Sequence, residues 1–389
     1  MKSLRVGVVG AGIVGLSHAW SAARRGHRVT VFERSPRAVG ASIRNFGMVW
    51  PLGQPPGTPY RLAMRSRRRW LRLARAAGVW VRRCGSLHLA YREDERDVMA
   101  EFAAAAPDLG VACRWVDAEP VRSRWPVANP DGLLGALRSP TELAVNPPAA
   151  IGQIATWLHD RLGVEFRFAT RIVSAQGTAL RSSTGAGWDF DRIVVCGGAD
   201  AADLFPDQVR AAGIRLCKLQ MLATEPQPGG WRIGPHIAGG LTLRHYRSFE
   251  VCPSLEGLKR RIASETPELD QFGIHVMASQ DDLGRVILGD SHEYDDQIEP
   301  FDKQRIDDLI LRELRRLIRL PDWSIGRRWH GIYAKHPQQA ILRDEPRPEL
   351  HLRTGTGGAG MTLAFGFAEE DWDQWSQTRD DFPATPAGD

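Results

Sequence analysis

Gly10-Ala11-Gly12-Ile13-Val14-Gly15 and Glu33 are the residues whose types and spacing most directly specify chemistry. Gly10 permits a tight turn. Gly12 lets backbone N–H groups approach a pyrophosphate, and Gly15 lets a helix pack closely on a strand. Glu33 lies eighteen residues past Gly15, where a carboxylate accepts ribose hydroxyls. An acid at this position disfavours a 2′-phosphate, with Arg34 as the neighbouring counter-signal. The elements that must position these groups are all present. Val6-Gly7-Val8-Val9 is an apolar strand, a small-residue helix follows the glycines, and Val29-Thr30-Val31-Phe32 is a second strand ending on Glu33. Strand, glycine turn, helix, strand and acid form the ADP-binding βαβ unit, in which the positive end of the helix holds the phosphates.

Composition bounds the rest. A chain of 389 residues accommodates two to three domains, and 43% hydrophobic with 25% charged residues is ordinary for a soluble globular protein. No apolar run approaches the roughly 20 residues that cross a bilayer. A first strand beginning near residue 4 leaves no room for a signal peptide. A cytoplasmic protein without a membrane partner is expected. Cys84, Cys113, Cys196, Cys217 and Cys252 are odd in number and widely spaced, which favours buried free thiols over a metal site or disulfide framework. The net charge of +5 is carried largely by arginine, densest in Arg65-Ser66-Arg67-Arg68-Arg69-Trp70-Leu71-Arg72. The apolar positions around it (Leu62, Trp70, Leu71, Leu73, Ala74, Ala77) fit a helix with one buried face and one solvent face. No nucleic-acid partner is expected, although a positive field could attract an anionic substrate.

Along the chain, the small-residue loop Gly40-Ala41-Ser42-Ile43-Arg44-Asn45-Phe46-Gly47 precedes a proline-rich stretch at 50–59 and the arginine helix. Strands are expected at 84–92, 132–138 and 164–168, with helices at 93–106 and from Pro147 to 162. A β meander turning near Gly177 and Gly185 leads into Arg192-Ile193-Val194-Val195-Cys196-Gly197-Gly198-Ala199. Alternating strands from about residue 216 are interrupted by a charged helix at 302–318. Strands at 327–333 and 350–353 follow, the latter ending in Gly355-Thr356-Gly357-Gly358-Ala359-Gly360 before a helix from Met361. The polar end, 380–389, is expected to be disordered.

This layout resembles the FAD-dependent oxidoreductases of the D-amino-acid oxidase and sarcosine oxidase family over about residues 4–370. Four segments carry the likeness: the first glycine turn with Glu33; the 40–47 loop, similar to the family's small-residue loop against the flavin; Val194-Val195-Cys196-Gly197-Gly198-Ala199, similar to its VxAAGAW strand end; and Thr354-Gly355-Thr356-Gly357-Gly358-Ala359-Gly360-Met361-Thr362, similar to its GxxGHGF turn. The resemblance implies an α/β fold with a glutathione-reductase-like FAD-binding Rossmann domain built from 1–80, 145–215 and 325–370. A substrate-binding domain of mostly antiparallel sheet plus helices would be interleaved from 81–144 and 216–324, leaving 371–389 as a C-terminal tail. The implied FAD contacts are Gly10, Gly12, Ile13, Val14, Gly15, Glu33, Arg34, Ser42, Arg44, Asn45, Gly197, Gly198, Gly357, Gly358, Ala359, Gly360, Met361 and Thr362. The implied reaction is hydride transfer from the carbon beside an amine to the flavin, followed by imine hydrolysis to an aldehyde or keto product. Oxygen or another electron carrier would reoxidise the flavin.

Departures from the family pattern qualify this. Several sarcosine oxidase-like members bond flavin through a cysteine in a Cys-x-Tyr strand. The matching stretch here is Gly331-Ile332-Tyr333, and no cysteine follows Cys252, which implies non-covalent FAD. Ala359 replaces the family's terminal histidine, and Thr362 replaces a basic residue. Ser42 to Gly47, His245-Tyr246 with its flanking arginines, and Gly289-Asp290-Ser291-His292-Glu293 resemble a less characterised branch associated with organophosphonate use. That branch implies an aminophosphonate such as 2-aminoethylphosphonate or its N-methyl form, in place of an amino acid.

Such chemistry needs an acid-group clamp. Arginine forks fit carboxylate or phosphonate oxygens, so Arg44, Arg244, Arg247 and Arg328 are candidates, with Arg244-His245-Tyr246-Arg247 the densest group, on an expected strand. Tyr246 and Tyr333 could hydrogen-bond substrate. His245, His275, His292, His330 and His336 could accept an amine proton, although a substrate bound neutral needs no base. Asp290, His292, Glu293, Asp295 and Asp296 lack a second ligand group, so no metal is expected. Rival readings are a flavin monooxygenase or NAD-dependent dehydrogenase sharing the first βαβ unit, a non-enzymatic flavin-binding regulator, and an RNA-associated flavoprotein.

Overall fold

Val194 faces one hydrophobic core while its neighbours Ile193 and Val195 face another. This period-two division marks a strand buried on both sides. In the computed structural model, which describes residues 2–377, it belongs to a six-stranded sheet. The order is Leu342–Arg347, Leu350–Thr354, Arg192–Val195, Arg5–Val9, Arg28–Phe32 and Glu165–Arg167. All neighbours are parallel except the first pair. One core joins Val6, Val8 and Val31 to Leu16, Trp20, Ile154, Phe365 and Trp372 from the helices Ile13–Ala23, Pro147–Leu162 and Gly360–Gln377. The other places Phe190 and Leu180, from the meander segment, against Phe32 and Leu352.

Because adjacent strands run parallel, their carboxyl ends share one edge. Gly10, Glu33, Cys196-Gly197 and Gly355 therefore emerge side by side, where ligands of open α/β sheets bind. Chain segments more than 300 residues apart meet there by topology alone.

The second unit is a nine-stranded sheet, antiparallel except where His236–Gly239 runs parallel to Ser86–Ala90. Leu222, Val286 and Leu288 pack beneath Ile306, Leu309, Ile310 and Leu314 of the Gln304–Leu317 helix. Alternate residues on the other face, including Met221, Ala238 and Met277, meet Phe46, Trp50 and Tyr333. The arginine-rich helix Thr58–Ala76 is less solvated than its composition implies. Arg65 and Arg69 pair with Glu369 on the terminal helix, and the buried Trp70 Nε1–H donates to Met361 O at 2.8 Å.

Three expectations are corrected. Ile325–Lys335, assigned on sequence grounds to the nucleotide unit, pairs along its length with Arg215–Pro226 of the large sheet. The expected tail from 371 begins inside the Gly360–Gln377 helix, held by buried Trp372 and Trp375 and by the Asp371–Arg353 ion pair at 2.6 Å; residues 380–389 lie outside those described. Finally, Arg244-His245-Tyr246-Arg247 is not a strand: Arg244 to Tyr246 turn between the short 3-10 segments Gly240–Thr242 and Arg247–Val251, and Arg247 begins the second. The chain bends at Gly239-Gly240, where Cβ atoms would fall 2.5 Å from Leu317 and 2.1 Å from Glu95.

Candidate active site

The first glycine turn is built from backbone packing. Gly10 adopts φ +105°, and a Cβ there would sit 2.5 Å from Cys196 O. A Cβ on Gly15 would sit 1.8 Å from Gly10 O, so Gly15 packs the helix on the turn and does not line the cavity. Glu33 accepts the N–H groups of Ala11 at 3.1 Å and Ser35 at 3.0 Å, which fixes its carboxylate beside the turn. The Ser42 hydroxyl accepts the Ile13 N–H at 2.9 Å, bringing the second sequence segment onto the first. Thr354 donates to Gly198 O at 2.9 Å and ties the third segment to the fourth.

These contacts frame a continuous cavity of about 720 Å³. Gly10, Gly12, Ile13, Val14, Glu33 and Arg34 line it, with Ser42, Arg44, Asn45, Gly197 and Gly198; Gly357 through Thr362 complete the expected set. Several of these have additional ties. Arg34 pairs with Asp200 at 2.7 Å, Asn45 Nδ2 donates to Ala41 O and Ser42 O, and the Thr362 hydroxyl accepts the Trp50 N–H at 2.9 Å. An elongated dinucleotide fits this space. Gly40 and Gly198 face it, and a Cβ at either would project into open volume. The Gly360–Gln377 helix begins at the cavity wall and directs its positive end inward.

At the far end the cavity reaches the large sheet and meets Trp50, His245, Tyr246, His275, Asp290, His292, Tyr333 and Lys335. Tyr246 stacks on Trp50 with centroids 6.3 Å apart, and its hydroxyl lies 3.5 Å from Met277 Sδ. Burial raises the Tyr246 and Tyr333 phenols above their ordinary range, so both remain protonated donors. Lys335 Nζ donates to Tyr294 OH at 2.9 Å, and burial lowers its pKa.

The arginine clamp does not form as expected. Arg244 turns away from the cavity, with Nη2 on Ile274 O at 3.1 Å and Asp270 at 3.1 Å. Arg247 stands exposed at the rim on Glu250 and Gln338 O, and Arg328 pairs with Asp307. Arg44 lines the cavity, but its nearest guanidinium partner is His330 O at 3.5 Å. Of the five histidines, His330 pairs with Asp302 and His336 Nδ1 caps the N–H groups of Gln338 and Gln339. The remaining three converge. The acidic run at 290–296 disperses: Glu293 pairs with Lys303 and Asp296 with Arg215, while Asp290 turns inward to His275 at 3.1 Å.

Sequence reasoning missed Trp50 and Lys335 as cavity residues. Only Lys335 had a readable signal. Gly331, Tyr333 and Lys335 alternate along one strand and share a face.

Comparison with known proteins agrees with this geometry. The sequence profile of the FAD dependent oxidoreductase family matches residues 5–370. The chain is 30% identical over 167 residues to 4-methylaminobutanoate oxidase (formaldehyde-forming) of Paenarthrobacter nicotinovorans, covering 42% of this chain and 20% of that protein. It is 27% identical over 209 residues to glycine oxidase of Bacillus licheniformis, covering 51% and 55%. The chain thus spans a fifth and about half the length of these curated relatives. Two solved structures share the fold nearly end to end. Glycine oxidase from Bacillus cereus ATCC 14579 has TM-score 0.77, 18% identity and coverage of 97% and 96%. L-proline dehydrogenase from P. horikoshii has TM-score 0.70, 18% identity and coverage of 98% and 100%. With four glycine-bearing segments gathered on one cavity and a family match running from the first strand into the last helix, the chain belongs to the FAD-dependent oxidoreductase family, and FAD is its cofactor.

Proposed function

We propose that the chain oxidises a small amine bearing an acid group, releasing an imine that hydrolyses to an aldehyde or keto product, with oxygen as the final electron acceptor. Bound FAD supplies the hydride acceptor for the carbon beside the nitrogen. The observation that carries this reading is the polar pocket at the end of the cavity, directly beyond the Gly357–Gly360 turn. Trp50, Tyr246 and Tyr333 wall it, and Tyr246 and Tyr333 offer hydroxyl donors for orienting a substrate. Lys335 provides positive charge for an acid group. The same desolvation that lowers the pKa of Lys335 and of the pocket histidines favours a neutral amine over an ammonium, so no strong protein base is required.

Both curated relatives named above are called oxidases of amino acids, one of them N-methylated. Their names support the reaction class for this chain. Within it, we favour an aminophosphonate such as 2-aminoethylphosphonate or its N-methyl form, on the sequence likeness of the 42–47, 245–246 and 289–293 segments. FAD held without a covalent bond and a cytoplasmic location belong to the same reading.

The test is anaerobic mixing of the yellow protein with glycine, sarcosine, proline, D-alanine, 2-aminoethylphosphonate and N-methyl-2-aminoethylphosphonate. Bleaching near 450 nm without a nicotinamide is expected. Bleaching only by carboxylates removes the phosphonate assignment, and dependence on NADH transfers the protein to the monooxygenase class.

A further inference from the structure

His245, His275 and His292 reach the pocket from three separate places: the turn after Thr242, the segment before Met277–Gln280 and the segment after Arg285–Gly289. Their ring centroids are 3.9, 4.3 and 4.9 Å apart, and one nitrogen from each lies within 4.8 Å of the others. His275 and His292 are buried. The three imidazoles stack on one another, with Tyr246, Tyr294 and Tyr333 around them.

The outer contacts leave ligand atoms free. His292 Nδ1 faces Gly273 O at 3.2 Å, and its Nε2 points toward Asp290 Oδ2, 3.9 Å away. His275 Nε2 lies 3.1 Å from Asp290 Oδ1, and both that oxygen and His275 Nδ1 are buried without a hydrogen-bond partner. An acid side chain between two of the rings and a partnerless ring nitrogen facing the cluster leave room for a ligand there. A buried imidazole nitrogen with no partner is unfavourable unless something fills it.

We propose that His245, His275 and His292 hold a divalent first-row transition metal, with Asp290 lying against His275 and His292, and that its open positions bind the acid oxygens of the substrate. Three imidazole nitrogens suit zinc and its neighbours, and three protein ligands leave room for an exogenous oxygen donor. The site supplies the charge that Arg244, Arg247 and Arg328 do not bring to the pocket. No covalent or redox step is assigned to the metal. Its clamp role rests on the amine-oxidation reading above, whereas its occupancy does not.

The experiment uses FAD-loaded enzyme. Metal content is measured by mass spectrometry after gel filtration, and enzyme stripped with a chelator is titrated calorimetrically with Zn²⁺. About one metal per chain is expected, with a Kd on the order of 1 μM or tighter. His275→Ala and His292→Ala should lose at least tenfold in Zn²⁺ affinity while retaining the flavin spectrum. Zinc uptake absent from the wild type, or equal in both variants, overturns the site. Because the wild-type titration stands alone, variants that fail to fold do not rescue the idea. Stripping should raise the KM of an acid-bearing amine at least tenfold with the flavin retained; an unchanged KM overturns the clamp. If metal binds but no amine bleaches the flavin, the metal site stands and the amine reading fails.

Discussion

The carboxylate of Glu33 accepts the backbone N–H of Ala11 at 3.1 Å, so the acid at the end of the second strand is docked on the glycine turn that ends the first. One side chain therefore serves the turn and faces the cavity. Glu33→Ala should weaken FAD about 10- to 100-fold, equivalent to about 1.4–2.8 kcal/mol. The flavin-to-protein absorbance ratio after desalting, followed by FAD titration of the apoprotein, measures this. Undiminished flavin retention would contradict the role.

Two glycines make opposite predictions under the same substitution. At Gly15 a Cβ would overlap the Gly10 carbonyl at 1.8 Å, and neither backbone can retreat without opening the turn. Gly15→Ala should cost more than about 3 kcal/mol and yield little flavin-bearing protein. Gly152 lies on the exposed side of the Pro147–Leu162 helix with nothing within 4 Å of its virtual Cβ. Gly152→Ala should stabilise by roughly 0.5–1 kcal/mol through helix propensity. Thermal unfolding of the two variants beside wild type checks both signs. Equal midpoints would mean that the close approach at Gly15 is unimportant.

The contrast explains what was legible in the sequence. The dinucleotide unit is local: residues 5–33 carry their own strand, turn, helix and acid, and each role follows from spacing. The later glycine segments could be recognised because each follows an apolar strand. That they sit beside the first is a consequence of sheet order, which no local pattern encodes. The substrate end was least readable. His245, His275 and His292 approach from a turn and the ends of two antiparallel strands, so no short spacing links them. Arg244 misled for the same reason. A run of four chemically attractive residues reads as part of a strand, whereas the bend at Gly239-Gly240 turns it into a loop that sends its members in different directions.

Arg244 can be tested directly. Its side chain is 12% exposed and divides its hydrogen bonds between Asp270 and the Ile274 carbonyl. Arg244→Ala should lower stability by about 1–3 kcal/mol, since it leaves a carbonyl without its charged donor. KM and the rate of flavin reduction by an active amine should stay within about twofold, because the guanidinium does not reach the cavity. A tenfold rise in KM at unchanged melting temperature would restore the arginine clamp.

His88 and His236 provide a pH prediction independent of the pocket histidines. Both are fully buried beside Trp50, with centroids 5.4 and 5.8 Å from its ring. Desolvation lowers each pKa to about 3. In the unfolded chain both would titrate near the ordinary value of about 6.5. Above that pH both states are neutral, and these groups make no contribution to the pH dependence. Between about 6.5 and 3 the unfolded state binds protons that the folded state refuses, so stability falls as pH falls. At pH 5 each histidine should favour unfolding by on the order of 2 kcal/mol relative to pH 8. Melting temperature measured from pH 8 to 5 should be flat at first and then decline. His88→Phe should make the decline shallower, provided the larger ring packs against Phe249 as the imidazole does at 5.5 Å. A wild-type melting temperature that holds constant down to pH 5 would show that these two imidazoles are not held neutral by burial.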